Sequence, residues 1–138
     1  MRVYLAAQYP RRNEMRTVAG ILHANNIDVT SRWIFLDTAP LDSSLNDLTP
    51  NENLLEAYRD RNDIDAADTL VFFAEDPNVG FPRGTRMVEF GYAMGKGKRL
   101  IVISGPENVF QYFPEVVHYA SLGDFLDAEG IQNADTSD

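Results

Sequence analysis

Two short stretches, Thr69 to Ala74 (TLVFFA) and Arg99 to Ser104 (RLIVIS), are apolar almost without interruption, and they narrow the choice of fold more than any other feature. A strand with one wet face alternates apolar and polar residues. A strand that reads as a continuous apolar run is covered on both faces, the condition of a parallel sheet with helices on either side. Between the two runs, Gly84-Thr85 opens a helix in which Met87, Phe90, Gly91 and Met94 share one face, and Gly95 to Gly97 ends it.

The rest of the chain follows the same alternation. Arg2 to Ala7 is a short buried strand stopped by Tyr9-Pro10. Asn13 to Asn25 carries Met15, Val18, Ala19 and Leu22 at helical spacing, with Asn25-Asn26 as its stop, and Ile27 to Trp33 gives a second strand. Residues 36–49 are rich in Pro, Ser and Asp without periodicity, a long loop that makes a candidate lid. Thr49, Pro50 and Glu52 spell a capping box at the start of a helix running to about Ala67. Glu75 to Arg83 is a loop, Val116 to Tyr119 a fifth strand, and Ser121 with Asp124 caps a short last helix. The expected fold is therefore α/β: a doubly wound, flavodoxin- or Rossmann-like, mostly parallel five-stranded sheet flanked by helices in three layers. Residues 1–130 are expected to form one domain. Residues 131–138 are expected to be a disordered acidic tail, since 127–138 hold four acids and no base.

Charge and composition remove several functions. With 12 Lys+Arg against 21 Asp+Glu in 138 residues the net charge is −9, so the chain lacks the basic footprint that a nucleic-acid polymer or an anionic membrane requires. There is no cysteine, hence no disulfide, thiolate zinc site or thiol nucleophile. No apolar run approaches a bilayer span and no signal-peptide pattern stands at residue 1; a cytoplasmic location is expected. His23 and His118 have no ligand spacing, so no metal is expected, and the absence of G-x-G-x-x-G and Walker A patterns removes the usual dinucleotide and triphosphate cradles. No organic cofactor is expected either.

Carboxylate chemistry remains. In doubly wound folds ligands sit beyond the carboxyl ends of the strands, and Glu89 stands about one turn into the helix that follows the third strand's loop, where the helix dipole favours an anion. Periodicity alone places Glu89 opposite the Met87/Phe90/Met94 stripe, on the solvated side.

The residues around it point elsewhere. The stretch from Gly84 to Lys98, GTRMVEFGYAMGKGK, resembles the signature helix of the nucleoside 2-deoxyribosyltransferase family, in which a glutamate followed by x-G-x-A and a G-K turn is the nucleophile. Asp60, Ile64 and Ala67-Asp68 are similar to the family's D-x3-I-x2-A-D segment, and Val3 to Ala7 is similar to its first strand. The resemblance implies cleavage or exchange of the N-glycosidic bond of a 2′-deoxynucleoside or its 5′-monophosphate through a glycosyl ester on Glu89, resolved by a second base or by water. It implies that Asp60 orients the nucleophile or assists protonation of the base, and that Tyr4 and Ala6 line the site. It further implies a homodimer or higher homo-oligomer with shared active sites, to which Asn108, after the fourth strand, contributes.

One departure bears on the substrate. Six residues before the glutamate the family commonly has an aspartate; here Arg83 stands there, with Arg86 one turn on. Guanidinium groups suit phosphate, so Arg83, Arg86, Arg11 and Arg12 are expected near a 5′-phosphate, with Gly84 beside them in the substrate-binding set, which favours the family's nucleotide N-glycoside hydrolases. Among the aromatics, Tyr9 and Trp33 are expected to touch the base. The alternative is a catalytically inactive nucleotide-binding or sensing module on the same fold.

Overall fold

The computed structural model describes residues 1–37, 47–76 and 84–133. The expected lid loop, for its larger part, the end of the acidic tail and Arg83 lie outside the described residues.

Five strands form one sheet: β1 (Arg2–Ala6), β2 (Asp28–Val29), β3 (Thr69–Phe73), β4 (Arg99–Ile103) and β5 (Val116–Tyr119). Their order is β2-β1-β3-β4-β5, and every neighbouring pair is parallel. The central strands are buried along their length, as their unbroken apolar character requires: all five residues of β3 are buried and only Arg99 of β4 is exposed. Among the described residues four α-helices connect or flank them: α1 (Arg12–Ala24), α2 (Pro50–Ala66), α3 (Thr85–Gly95) and α4 (Leu122–Ala128). The crossover from β1 to β2 runs in the opposite sense to those from β2 to β3 and from β3 to β4. With right-handed connections, α1 therefore covers one face and α2 and α3 cover the other. The result is a three-layer α/β fold with its switch in strand order between β1 and β3, where such folds bind ligands.

Local signals act as the sequence dictates. Thr49 Oγ1 accepts from Glu52 N, and Glu52 Oε1 accepts from Thr49 N, so the capping box closes at the start of α2. Past α1, Asn26 takes up the left-handed conformation (φ 61°) that stops the helix. Ser121 caps α4 through Asp124 N.

Three expectations need correction. The second strand is only Asp28–Val29, and Arg32–Phe35 is a 3-10 turn instead. That turn carries Trp33 inward, where its indole N–H donates to Leu5 O at 2.8 Å, a contact that a straight edge strand would not make. The chain remains packed beyond residue 130: Ile131 is 6% exposed, and both main-chain polar groups of Gln132 pair with the Asn25 side chain. Finally, the buried residues of α3 are Arg86, Glu89, Phe90 and Ala93, so the inward stripe is turned by one residue from the Met87/Phe90/Gly91/Met94 stripe. Charged residues occupy half of the inward stripe, which is why apolar periodicity picks its neighbour.

Candidate active site

The turned stripe brings Glu89 into the protein. It is 7% exposed and lines a cleft of about 390 Å³ between α2 and α3. Asp60 and Arg61 from α2, and Thr85 from the first turn of α3, supply the other polar groups of that cleft; Leu54, Tyr58, Ile64, Val88 and Tyr92 are among its apolar walls. Beneath it runs β1. Side chains of alternate strand residues share a face, so Tyr4 and Ala6 both point toward α2 and α3. The Tyr4 hydroxyl donates to Glu89 Oε2 in a short hydrogen bond.

Tyr4 is fully buried, and its pKa is raised well above 10.0, first by burial and then by the negative charge of Glu89 and of Asp60. At neutral pH it is a neutral phenol that donates, and the carboxylate accepts. Sharing an edge with the cleft, α2 is tied to α3 at the far end, where Tyr92 Oη donates to Asp65 Oδ1 at 2.6 Å and Lys98 Nζ donates to Asp65 O at 3.0 Å. The arrangement joins an oriented carboxylate, a second carboxylate and an apolar wall, which suits attack on an electrophilic carbon. Among the described residues no group of His, Asp and Glu is disposed to hold a metal ion, and no helix is long and apolar enough to cross a membrane.

The other sequence-derived site residues fall in different places. Ala6 is fully buried under the cleft. Gly84 is the residue before α3 and has φ 72°, a left-handed conformation that glycine adopts without steric cost. Tyr9 is buried and its hydroxyl donates to Leu36 O at 2.9 Å; the Arg12 guanidinium lies 4.5 Å from its ring centroid. Trp33 spends its N–H on Leu5 O. Arg11 pairs with Glu14 and with Glu75. Arg86 is 4% exposed and forks onto Glu107, with Nη2 to Oε1 at 2.8 Å and a second, short contact from Nη1 to Oε2. Of the four arginines expected near a phosphate, Arg11 and Arg86 thus pair with carboxylates. Asn108 packs on the side of α3 away from Glu89, its Nδ2 donating to Met87 Sδ at 3.1 Å in a groove that also holds Phe110.

Sequence reasoning missed Arg61 as a cleft residue. It lies next to Asp60 in the run Arg59-Asp60-Arg61, which reads as a solvated charged face, and its guanidinium lies 5.1 Å from the ring centroid of Tyr58. The signal lay in adjacency to Asp60.

No protein-family model matches the chain, and no curated protein matches it in sequence. Solved structures do. The structure of Clostridium botulinum CMP N-glycosidase BcmB is similar over 94% of this chain and 98% of that one, with a TM-score of 0.58 and 16% identity. A conserved protein from Enterococcus faecalis V583 is similar over 95% of this chain and 87% of the other, with a TM-score of 0.47 and 17% identity. The likeness to BcmB is one of fold. At this identity the arrangement of strands and helices is shared, and the chemistry has to be argued from the residues in the cleft.

Proposed function

We propose that this chain cleaves the N-glycosidic bond of a nucleoside 5′-monophosphate or its 2′-deoxy form, with Glu89 as the nucleophile. The observation that carries the reading is a carboxylate buried at the wall of a cleft, shared with Asp60 and held by the hydroxyl of Tyr4. The fold it shares with a protein named as a CMP N-glycosidase supports the same reading.

The chemistry follows from these groups. A Glu89 oxygen attacks C1′ of the sugar as the bond to the base breaks; the electron pair of that bond leaves with the base, and Asp60 in its protonated form, or a water, supplies the proton the base needs. A glycosyl ester on Glu89 results. Water attacks its C1′ and gives up a proton to the Asp60 carboxylate or to solvent, Glu89 departs as a carboxylate, and the sugar phosphate is released; a second base in place of water makes the reaction a transfer. Tyr4 keeps its proton throughout and fixes the carboxylate's orientation. The apolar wall of Tyr58, Val88 and Tyr92 gives a flat base a stacking surface.

The groove beside Asn108 supports assembly of like copies. Val88 and Phe110 line it and are exposed, Phe113 packs its ring against Phe110, and Val109 and Tyr112 of the same 3-10 turn are exposed as well, apolar surface of the kind that marks an interaction face. A homodimer through this face places Asn108 at the seam, next to the Val88 edge of the cleft. Light scattering is expected to give twice the chain mass, and a monomer at micromolar concentration removes this part of the reading.

The test of the function is to incubate the protein with CMP, dCMP and the corresponding purine nucleotides and to separate free base by chromatography. Release by the wild type, lost about a thousandfold in Glu89→Ala, a loss of about 4 kcal/mol of transition-state stabilisation, is the expected result. Tight binding without release assigns the chain to nucleotide sensing instead.

A further inference from the structure

The two helices that carry Asp60 and Glu89 are each tied down one turn away by a buried carboxylate paired with a guanidinium. On α2, Asp63 accepts from Arg32 Nε at 2.9 Å, from its Nη2 at 2.7 Å and from its backbone N at 3.0 Å. On α3, Arg86 lies three residues before Glu89 on the same inward stripe and forks onto Glu107. Glu107 sits in the loop after β4, and its Oε2 also accepts from Glu75 N, just after β3, at 2.9 Å. Arg86 thereby fastens the first turn of α3 to the ends of two central strands, while its guanidinium rests 4.8 Å from the ring centroid of Phe72 on β3.

We propose that Arg86 and Glu107 are a positioning pair for Glu89: their fork seats the first turn of α3, and that seat sets the reach between Glu89 and the Tyr4 hydroxyl on β1. The inference rests on Glu89 being the reacting group. Two observations and one general rule carry it. The N-terminus of α3 has no side-chain cap, because Gly84 stands at the cap position, so the fork of Arg86 is an anchor within that first turn. Tyr4 and Glu89 stand on different elements, β1 and α3, and a nucleophile misplaced by about 1 Å loses on the order of a hundredfold in rate. A buried ion pair is also a poor source of net stability, since apolar residues of similar volume commonly serve as well or better. Geometry, more than stability, is what a bidentate fork supplies.

That last point gives the test. The double variant Arg86→Met with Glu107→Met replaces the pair by apolar residues and leaves no half of the fork behind, and its urea midpoint is expected to fall only by what the loss of the Glu75 N acceptor costs, about 1 kcal/mol. Its kcat for base release is expected to fall at least about tenfold with KM changed less than about threefold, and its crystal structure is expected to show Tyr4 Oη and Glu89 separated beyond about 3.5 Å. Glu107→Gln, nearly isosteric, provides the same readouts should the double variant not fold. A variant with wild-type kcat, or one that keeps the Tyr4–Glu89 contact, overturns the inference. If the wild type itself releases no base, the proposed activity falls, and the crystallographic separation alone decides whether the pair seats α3.

Discussion

Tyr4 and Glu89 are 85 residues apart in the chain, and a buried hydrogen bond from phenol to carboxylate joins them across the layer between β1 and α3. Because the folded protein holds the Tyr4 pKa well above its unfolded value of 10.0, the native state keeps a proton that the unfolded chain gives up. The sign is fixed: the contribution is fully present below pH 10 and is lost as pH rises from there toward the raised folded-state value, with a limiting slope of about 1.4 kcal/mol per pH unit for one proton. Urea unfolding between pH 9 and 11 is expected to show stability falling in the wild type. In Tyr4→Phe that fall is expected to be shallower by the contribution of one group, and an unchanged slope removes Tyr4 as its source.

Asp60→Asn separates orientation from proton donation. If Asp60 protonates the departing base, base release falls about a hundredfold for an ordinary purine nucleotide. A 7-methylated purine, which already carries positive charge and leaves without a proton, is expected to lose less than about tenfold. Equal losses on both substrates assign Asp60 to orientation only.

Arg61 is the cleft cation that sequence reading passed over. Arg61→Ala is expected to raise KM for a nucleoside monophosphate about tenfold, near 1.4 kcal/mol, and to leave the matching nucleoside within about twofold. Equal effects on the two place the phosphate elsewhere, and Arg83→Ala then becomes the informative comparison.

Gly105 follows β4 where the strand ends crowd together. A Cβ there would meet Val102 Cγ1 at 2.5 Å and Ala74 Cβ at 3.3 Å. Gly105→Ala is expected to cost about 1–3 kcal/mol in chemical unfolding, as overpacking of a tight core does. A change below about 0.5 kcal/mol means that β3 and β4 give way freely at this end.

The fold was legible where one physical cause acts alone. Continuous apolar runs can only be doubly covered strands, which located Thr69–Phe73 and Arg99–Ile103, and the Thr49/Glu52 box fixed the start of α2 through contacts three residues apart. Legibility failed where distant residues decide. The inward stripe of α3 holds Arg86 and Glu89, and hydropathy cannot see that Glu107 and Tyr4 receive them. For the same reason Arg86 reads as a phosphate ligand in the sequence and is an internal ion pair in the structure. Trp33 reads as a strand residue because it is bulky and β-prone, yet its N–H reaches Leu5 O from a 3-10 turn.

The central claim is that the Glu89 carboxylate captures the sugar, and mass spectrometry of the protein itself addresses it. A 2′-fluoro-substituted deoxynucleoside monophosphate slows hydrolysis of a glycosyl ester, because fluorine disfavours the positive charge that develops on the sugar. After brief incubation and an acid quench, the account predicts a mass increase of one fluorinated sugar phosphate, located by peptide mapping on the segment containing Glu89 and missing from Glu89→Gln. Base released in full from an unmodified protein, or a sugar found on any other residue, contradicts it.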